Sequence, residues 1–183
     1  MSKQHIKDIL TKDNVAEAIT ENIEYMLKVI PEIKPMIGFE HKHPHHHLDV
    51  WEHTLEVIKN LNTRDYELNM AGLLHDIGKP FSYQDEEVRH FHGHPEVSAQ
   101  MSEEILERLG FEKEFINHVV YLVKTHDTVI DLNNLDNTIN MIQKRLKLQY
   151  ADAKAHRPEK VGKRIALLDE ISERLEKIVE LEK

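Results

Sequence analysis

Apolar residues recur along this chain at intervals of three and four and nowhere alternate over the length of a strand, so the pattern predicts helices throughout. Asp13 or Asn14 can cap a helix carrying Val15, Ile19, Ile23, Met26, Leu27 and Ile30, which Pro31 stops; helices are expected across 3–30. Segment 31–47, with three prolines, reads as an ordered loop. Asp49 opens a helix with Val50, Leu55, Ile58 and Leu61, and a more apolar one covers 66–77. Gly78 stands where a left-handed C-terminal turn would end the latter. A polar loop follows over 79–94, with a short extended piece at 88–91. Pro95 is suited to the first turn of a helix bearing Val97, Met101, Ile105 and Leu109, closed by Gly110. Further helices are expected over 112–125, 136–146 and 148–156, and a long last one over 158–182 carries Val161, Ile165, Leu168, Leu175 and Ile178. The fold class is all-α, a single compact helical domain over 1–183, since no linker or internal repeat divides the 183 residues.

Composition narrows the chemistry. No cysteine is present, which removes disulfides, thiolate zinc sites and a cysteine nucleophile and agrees with a cytoplasmic location. The longest apolar run, 119–123, cannot span a bilayer, and the charged first ten residues do not read as a signal peptide, so no membrane role is expected. A net charge of −9 opposes binding to extended nucleic acid. The densest basic run, 154–164, offers five Lys and Arg, enough for one phosphate group. Fourteen histidines are unusual, and ten fall between His41 and His94. A histidine-rich chain without cysteine points to a His/carboxylate metal site.

Known catalytic motifs mostly fail. Gly72-Leu-Leu-His-Asp-Ile-Gly78-Lys79-Pro80 has five residues between its glycines where a phosphate-binding loop has four, and Pro80 replaces the Ser or Thr that would meet Mg²⁺. No dinucleotide fingerprint, nucleophile elbow or H-E-x-x-H is present. What remains is a set of polar residues standing where core residues belong. His53 shares a helical face with Val50 and Val57; His75 continues the Leu68, Ala71, Gly72 stripe, with Asp76 beside it. His126 continues Val119, Leu122 and Val123, and Asp152 sits between Ala151 and Ala153. Buried charges of this kind pair, shift their pKa or bind metal. Taken singly, each histidine could be a hydrogen-bonded core residue, His75 and Asp76 could pair with each other, and Asp152 could be half exposed. The cluster His41, His43, His45, His46 and His47 reads as a polar loop of which one member lines a pocket mouth, while His90, His92 and His118 read as solvated.

Together, His53, His75-Asp76 and Asp152 resemble the H…HD…D signature of the HD superfamily of metal-dependent phosphohydrolases. The stretches Asp49-Val-Trp-Glu-His53-Thr-Leu, Leu74-His-Asp-Ile-Gly-Lys79-Pro80 and Gly93-His94-Pro95 with Ser98-Ala99 look like the HD domain that follows the catalytic head in some bacterial tRNA nucleotidyltransferases. The similarity covers about 31–157, the expected metal-site core, on which the N-terminal helices and the long last helix would pack. Nothing in the sequence resembles the nucleotidyltransferase head, so CCA addition is not implied and a free-standing HD domain is expected.

The resemblance implies that His53, His75, Asp76 and Asp152 hold one divalent metal. His94 and His126 match the histidines that two-metal members add, with Asp76 as the bridging, catalytic carboxylate. The ion could be Mn, Fe, Co, Ni, Zn or Mg, and would activate a water for attack at phosphorus. Lys79 is expected to meet the phosphate and the charge that develops on it, with Arg157 and His156 as weaker phosphate contacts. Lys79 read as a solvated lysine complementing a helix terminus is the alternative. The implied function is metal-dependent hydrolysis of a small phosphate ester: a nucleotide, a phosphomonoester or a 2′,3′-cyclic phosphodiester, the last because those HD domains are associated with phosphate removal and cyclic phosphodiester hydrolysis. The sequence after His126 lacks the hallmark of cyclic-di-GMP phosphodiesterases. The competing readings are a metal-supported nucleotide-binding or regulatory module with little turnover, and a helical scaffold whose histidines satisfy one another. Oligomeric state and the particular substrate are not legible.

Overall fold

The structure is a computed structural model that describes residues 2–84 and 88–181. Among the described residues it is all-α: α1 Ser2–Leu10, α2 Val15–Glu21, α3 Ile23–Val29, α4 Val50–Leu61, α5 Tyr66–Leu74, α6 His94–Arg108, α7 Lys113–Thr125, α8 Ile139–Lys154 and α9 Gly162–Leu181, with short 3₁₀ turns at Pro31–Met36, Lys79–Phe81 and Pro158–Lys160. The predicted positions 85–87 of the polar loop and 182 of the last helix lie outside the described residues.

Several boundaries differ from the sequence reading, each for a local reason. The helix expected to run unbroken to Ile30 divides at Asn22, whose side-chain amide donates to the Ala18 carbonyl and so competes with the backbone ladder. The two helices expected over 136–156 are one, α8, capped by the Thr138 hydroxyl and presenting a continuous buried face from Met141 to Ala153. In α5 the regular helix stops at Leu74, and 75–78 form a run of turns. Gly78 does not end it in a left-handed conformation, since its φ is −82°. A glycine is required there because a Cβ would stand 2.6 Å from the backbone nitrogen of Ser98, and the Gly78 amide donates to the Ser98 hydroxyl. The extended piece near 88–91 is a single bridge between Gln84 and His90.

The start of α4 follows the sequence closely. Asp49 and Glu52 form a reciprocal capping box, and Asp49 also accepts from the Gly38 amide, which pins the 31–47 segment to this helix end. The main core is built from α1 to α7 with Met141, Leu148 and Ala151 of α8, and a smaller cluster of Ile142, Leu146, Leu168, Ile171 and Leu175 fastens α9 onto α8. α4 packs on α8 and on α5, and α7 packs on both α5 and α6, so the ends of these five helices meet at one place.

The tight approach at Gly78 gives the first prediction. Gly78→Ala should lower stability by about 1–3 kcal/mol, the usual effect of overpacking, seen as a fall in thermal midpoint. Gly162→Ala, where nothing lies within 4 Å of the added carbon, should change it by less than about 0.5 kcal/mol. Equal effects of the two substitutions would contradict this account of Gly78.

Candidate metal centre

Five helices deliver the polar residues. α4 presents His53 from near its start; the end of α5 gives His75 and Asp76; His94 is the first residue of α6; His126 caps the end of α7; and Asp152 comes from the last turn of α8. All six meet, and all but His94 are buried. Asp76 is at the middle. Its Oδ2 lies 3.2 Å from His75 Nε2 and 3.6 Å from His53 Nε2, while its Oδ1 lies 3.3 Å from His94 Nε2 and 3.7 Å from His126 Nε2. Asp152 Oδ1 is 2.9 Å from His53 Nε2 and 3.8 Å from His75 Nε2.

Backbone carbonyls decide which ring nitrogen faces inward. The Nδ1 atoms of His75, His94 and His126 lie 2.7, 2.9 and 2.7 Å from the carbonyls of Gly72, Phe91 and Val123, each three residues earlier. A carbonyl can only accept, so Nδ1 carries a proton in each ring and each Nε2 is the atom turned toward Asp76. Lone pairs aimed at a carboxylate repel unless a proton or a cation stands between them. Both oxygens of Asp76 and the Nε2 of His75 are buried without a hydrogen bond of acceptable geometry, even though Lys79 Nζ is 2.7 Å from Oδ2. The donor set therefore fits a divalent cation. Three groups, His53-His75-Asp76, Asp76-His94-His126 and His53-Asp152-His156, have ligand atoms close enough to share one.

The electrostatics follow from burial and this crowding. Burial alone would raise the Asp76 carboxyl, but the charges of His75 and Lys79 hold it well below the usual carboxylate range. Asp152 is depressed in the same way, burial being overcome by Arg164 and His53. Burial opposes a charge on His75, and the Asp76 carboxylate overrides it and raises the imidazole. His126 and His156, by contrast, are pushed down by burial to about 3 and about 4, and so present neutral rings. Burial raises Asp127.

Asp76, His94, His126 and Asp152 open into a cavity of about 370 Å³, also lined by Lys79, His46, Phe91, Asp127, His156 and Arg164. Lys79 is 6% exposed, which removes its reading as a solvated lysine, and its ammonium reaches both Asp76 and His41. Arg157 is not brought to this cavity. Its Nε donates to the His46 carbonyl and its amide to that of His45, which holds it on the far side of the histidine loop. Arg164, from the basic run of 154–164, stands at the cavity instead, 2.8 Å from Asp152. Nothing at the level of single residues marks Arg164 in the sequence, since it reads as part of the polar face of α9. His156 does line the cavity, with Nδ1 against the Asp152 carbonyl. Within the 41–47 cluster, His41 is buried and His46 half-buried, with rings stacked 3.7 Å apart, so more of that loop belongs to the site than one member at its mouth. His90 and His92 lie at the rim, and His118 pairs with Glu67 elsewhere. Arg145, buried and unmarked in the sequence, binds the carbonyls of Thr125, Thr128 and Val129 and so fixes the loop that follows His126.

A helical domain with imidazoles and carboxylates converging at helix ends is a candidate metal-dependent enzyme domain. A family model described as the HD domain matches residues 45–180, and the chain belongs to the HD domain family. It is 42% identical over 88 residues to the A-adding tRNA nucleotidyltransferase of Deinococcus radiodurans, covering 44% of this chain and 20% of that protein. With the CC-adding tRNA nucleotidyltransferase of Thermus thermophilus it shares 35% identity over 115 residues, 59% of this chain and 26% of that protein. The Multifunctional CCA protein of Nitrosomonas europaea is 28% identical over 107 residues, covering 57% and 26%. The matched part thus amounts to about a quarter or less of these relatives. Among the described residues no helix is long and apolar enough to cross a membrane.

The unsatisfied Asp76 gives the second prediction. Chelator-treated, untagged protein should gain thermal stability with Mn²⁺ or Ni²⁺, by about 2.7 kcal/mol at a hundred times the dissociation constant, and Asp76→Asn should lose the gain. No shift with any of Mn²⁺, Fe²⁺, Co²⁺, Ni²⁺, Zn²⁺ or Mg²⁺ would remove the metal reading.

Proposed function

We propose that this protein is a metal-dependent phosphohydrolase acting on a small phosphate ester, with His53, His75, Asp76 and Asp152 holding one divalent ion, and His94 and His126 completing a second position with Asp76 as the bridge. The observation that carries this reading is the set of imidazole Nε2 atoms turned by backbone carbonyls onto an unsatisfied, buried Asp76. When bound, the ion would supply Lewis-acid charge and make a water acidic enough to act near neutral pH. The chain's own residues supply the rest. Lys79, fixed beside Asp76 at the cavity wall, offers an ammonium to a phosphate oxygen and to the charge that develops there. Arg164 holds Asp152 in place and adds a second cation to the same cavity. The neutral rings of His126 and His156 keep lone pairs available at the working pH.

A cavity of about 370 Å³ is in the range that encloses small molecules, which supports a nucleotide, a phosphomonoester or a 2′,3′-cyclic phosphodiester as substrate. The relatives named for work on tRNA favour a second reading, in which the phosphate belongs to an RNA end. The charge of −9 weighs against many phosphate contacts, and so toward the small ester.

The third prediction is activity on a panel of mononucleotides, phosphomonoesters and 2′,3′-cyclic nucleotides with the divalent ion varied. Hydrolysis should need the ion, vanish in Asp76→Ala with the helical spectrum intact, and fall roughly 10²-fold in Lys79→Ala. It should vary by less than about threefold between 50 and 200 mM salt. Metal binding without turnover on the whole panel would convert the reading to a regulatory module, and submicromolar, steeply salt-dependent tRNA binding would show the substrate class to be wrong.

A further inference from the structure

His41 lies ahead of the stretch matched by the family model and outside the three candidate metal-ligand groups, yet it is 2% exposed and faces the site. Its Nδ1 is 3.0 Å from the Leu48 carbonyl and its Nε2 is 3.1 Å from Lys79 Nζ. The carbonyl can only accept, so Nδ1 must be the protonated nitrogen; an ammonium can only donate, so Nε2 must be the acceptor. The two contacts together admit one form of the ring, the neutral Nδ1–H tautomer. The ring is held in place by stacking on His46, with centroids 3.7 Å apart and planes 6° from parallel, and by an edge contact with Phe91. Lys79 has three N–H groups. Asp76 Oδ2 at 2.7 Å and His41 Nε2 at 3.1 Å stand around the ammonium, the centroid of the Phe91 ring is 5.4 Å away, and the residue lines the cavity.

We infer that His41 is a positioning residue for Lys79: its neutral imidazole accepts from the lysine ammonium and aims the remaining N–H at a phosphate oxygen of the substrate. This rests on the phosphohydrolase reading for its consequence, and on the hydrogen-bond geometry alone for its structure. With Asp76 alone as a neighbour, at 2.7 Å, the ammonium on its flexible stem could still turn its N–H groups about that contact. His41 fixes their direction with an acceptor on another side.

Two measurements test it. The first needs no activity: ¹⁵N NMR of the imidazoles in metal-free protein should show His41 as the Nδ1–H tautomer, with its Nε2 resonance moving toward that of a free imine in Lys79→Met. Finding His41 protonated, or as the Nε2–H tautomer, overturns the inference whatever the protein hydrolyses. The second is a double-mutant cycle. His41→Phe keeps the stack on His46 and removes both nitrogens; it should lower kcat/KM about tenfold, in the range for residues that orient a functional group. His41→Gln, whose carbonyl oxygen can take the place of Nε2, should recover most of that loss. In Lys79→Met the His41→Phe change should have no further effect, because the lysine it positions is gone. An equal loss in both backgrounds, with unchanged thermal midpoint, would show that His41 acts by some other route. Should no phosphate ester be turned over, inorganic phosphate binding measured by calorimetry replaces kcat/KM in the same cycle, with the same pattern supporting the inference and an additive one overturning it.

Discussion

The Asp76 carboxylate is almost wholly buried, carries negative charge, and has no hydrogen bond of ordinary geometry on either oxygen. An isolated charge in that position would be strongly destabilising, and the surrounding structure is arranged to answer it. Four imidazole nitrogens and one ammonium lie within 4 Å of its two oxygens, contributed by α4, the end of α5, the turn after it, the start of α6 and the end of α7. Wherever one of these imidazoles turns a neutral Nε2 toward the carboxylate, its lone pair is repelled unless a proton or a cation stands between them. A divalent cation held there would resolve the conflict and would give the fold a reason to gather five helix segments at one point.

The local means are simple. Three of the histidines stand at helix ends, where a ring can reach back to the carbonyl three residues earlier and lock its own tautomer. The Gly72 and Val123 carbonyls, near the C-terminal ends of α5 and α7, are among those a helix leaves without a partner of its own, so there the contact satisfies the backbone and aims a ligand together, while the Phe91 carbonyl accepts from the His94 amide as well. His53 lies near the start of α4 and Asp152 in the last turn of α8, helices whose register capping sets: the Asp49 box fixes the start of α4, and Thr138 that of α8. Supporting residues lie farther out. Arg145 and Gln149 hold the segment after α7 through the carbonyls of Thr125 and Thr128, and Arg164 brings α9 onto Asp152.

Much of this is legible in the sequence because buried faces are periodic. His53, His126 and Asp152 stand on stripes otherwise made of Val, Leu and Ala, and a polar residue at an apolar position carries information that a polar residue in a loop does not. Helix type and order follow from the same period. The boundaries do not, since the break at Asn22 and the continuity of α8 depend on a single side-chain hydrogen bond and on packing against distant helices. His41 and Arg164 are illegible for a related reason. One lies in a segment without regular structure, the other on a helix face that reads as solvent-exposed, and only the folded chain brings His41 against Lys79 and Arg164 to the cavity. Arg157 shows the converse: it is adjacent in sequence to a site residue, yet the carbonyls of the histidine loop turn it away.

The central claim is that the buried imidazoles and carboxylates together bind one or two divalent ions. X-ray absorption at the metal edge tests it most directly, using protein purified without a polyhistidine tag and loaded with Mn²⁺ or Ni²⁺. A first shell of nitrogen and oxygen with the outer-shell scattering of several imidazoles, lost in Asp76→Asn, is the predicted result. A spectrum matching the hydrated ion, or an imidazole signal that Asp76→Asn leaves unchanged, would contradict it.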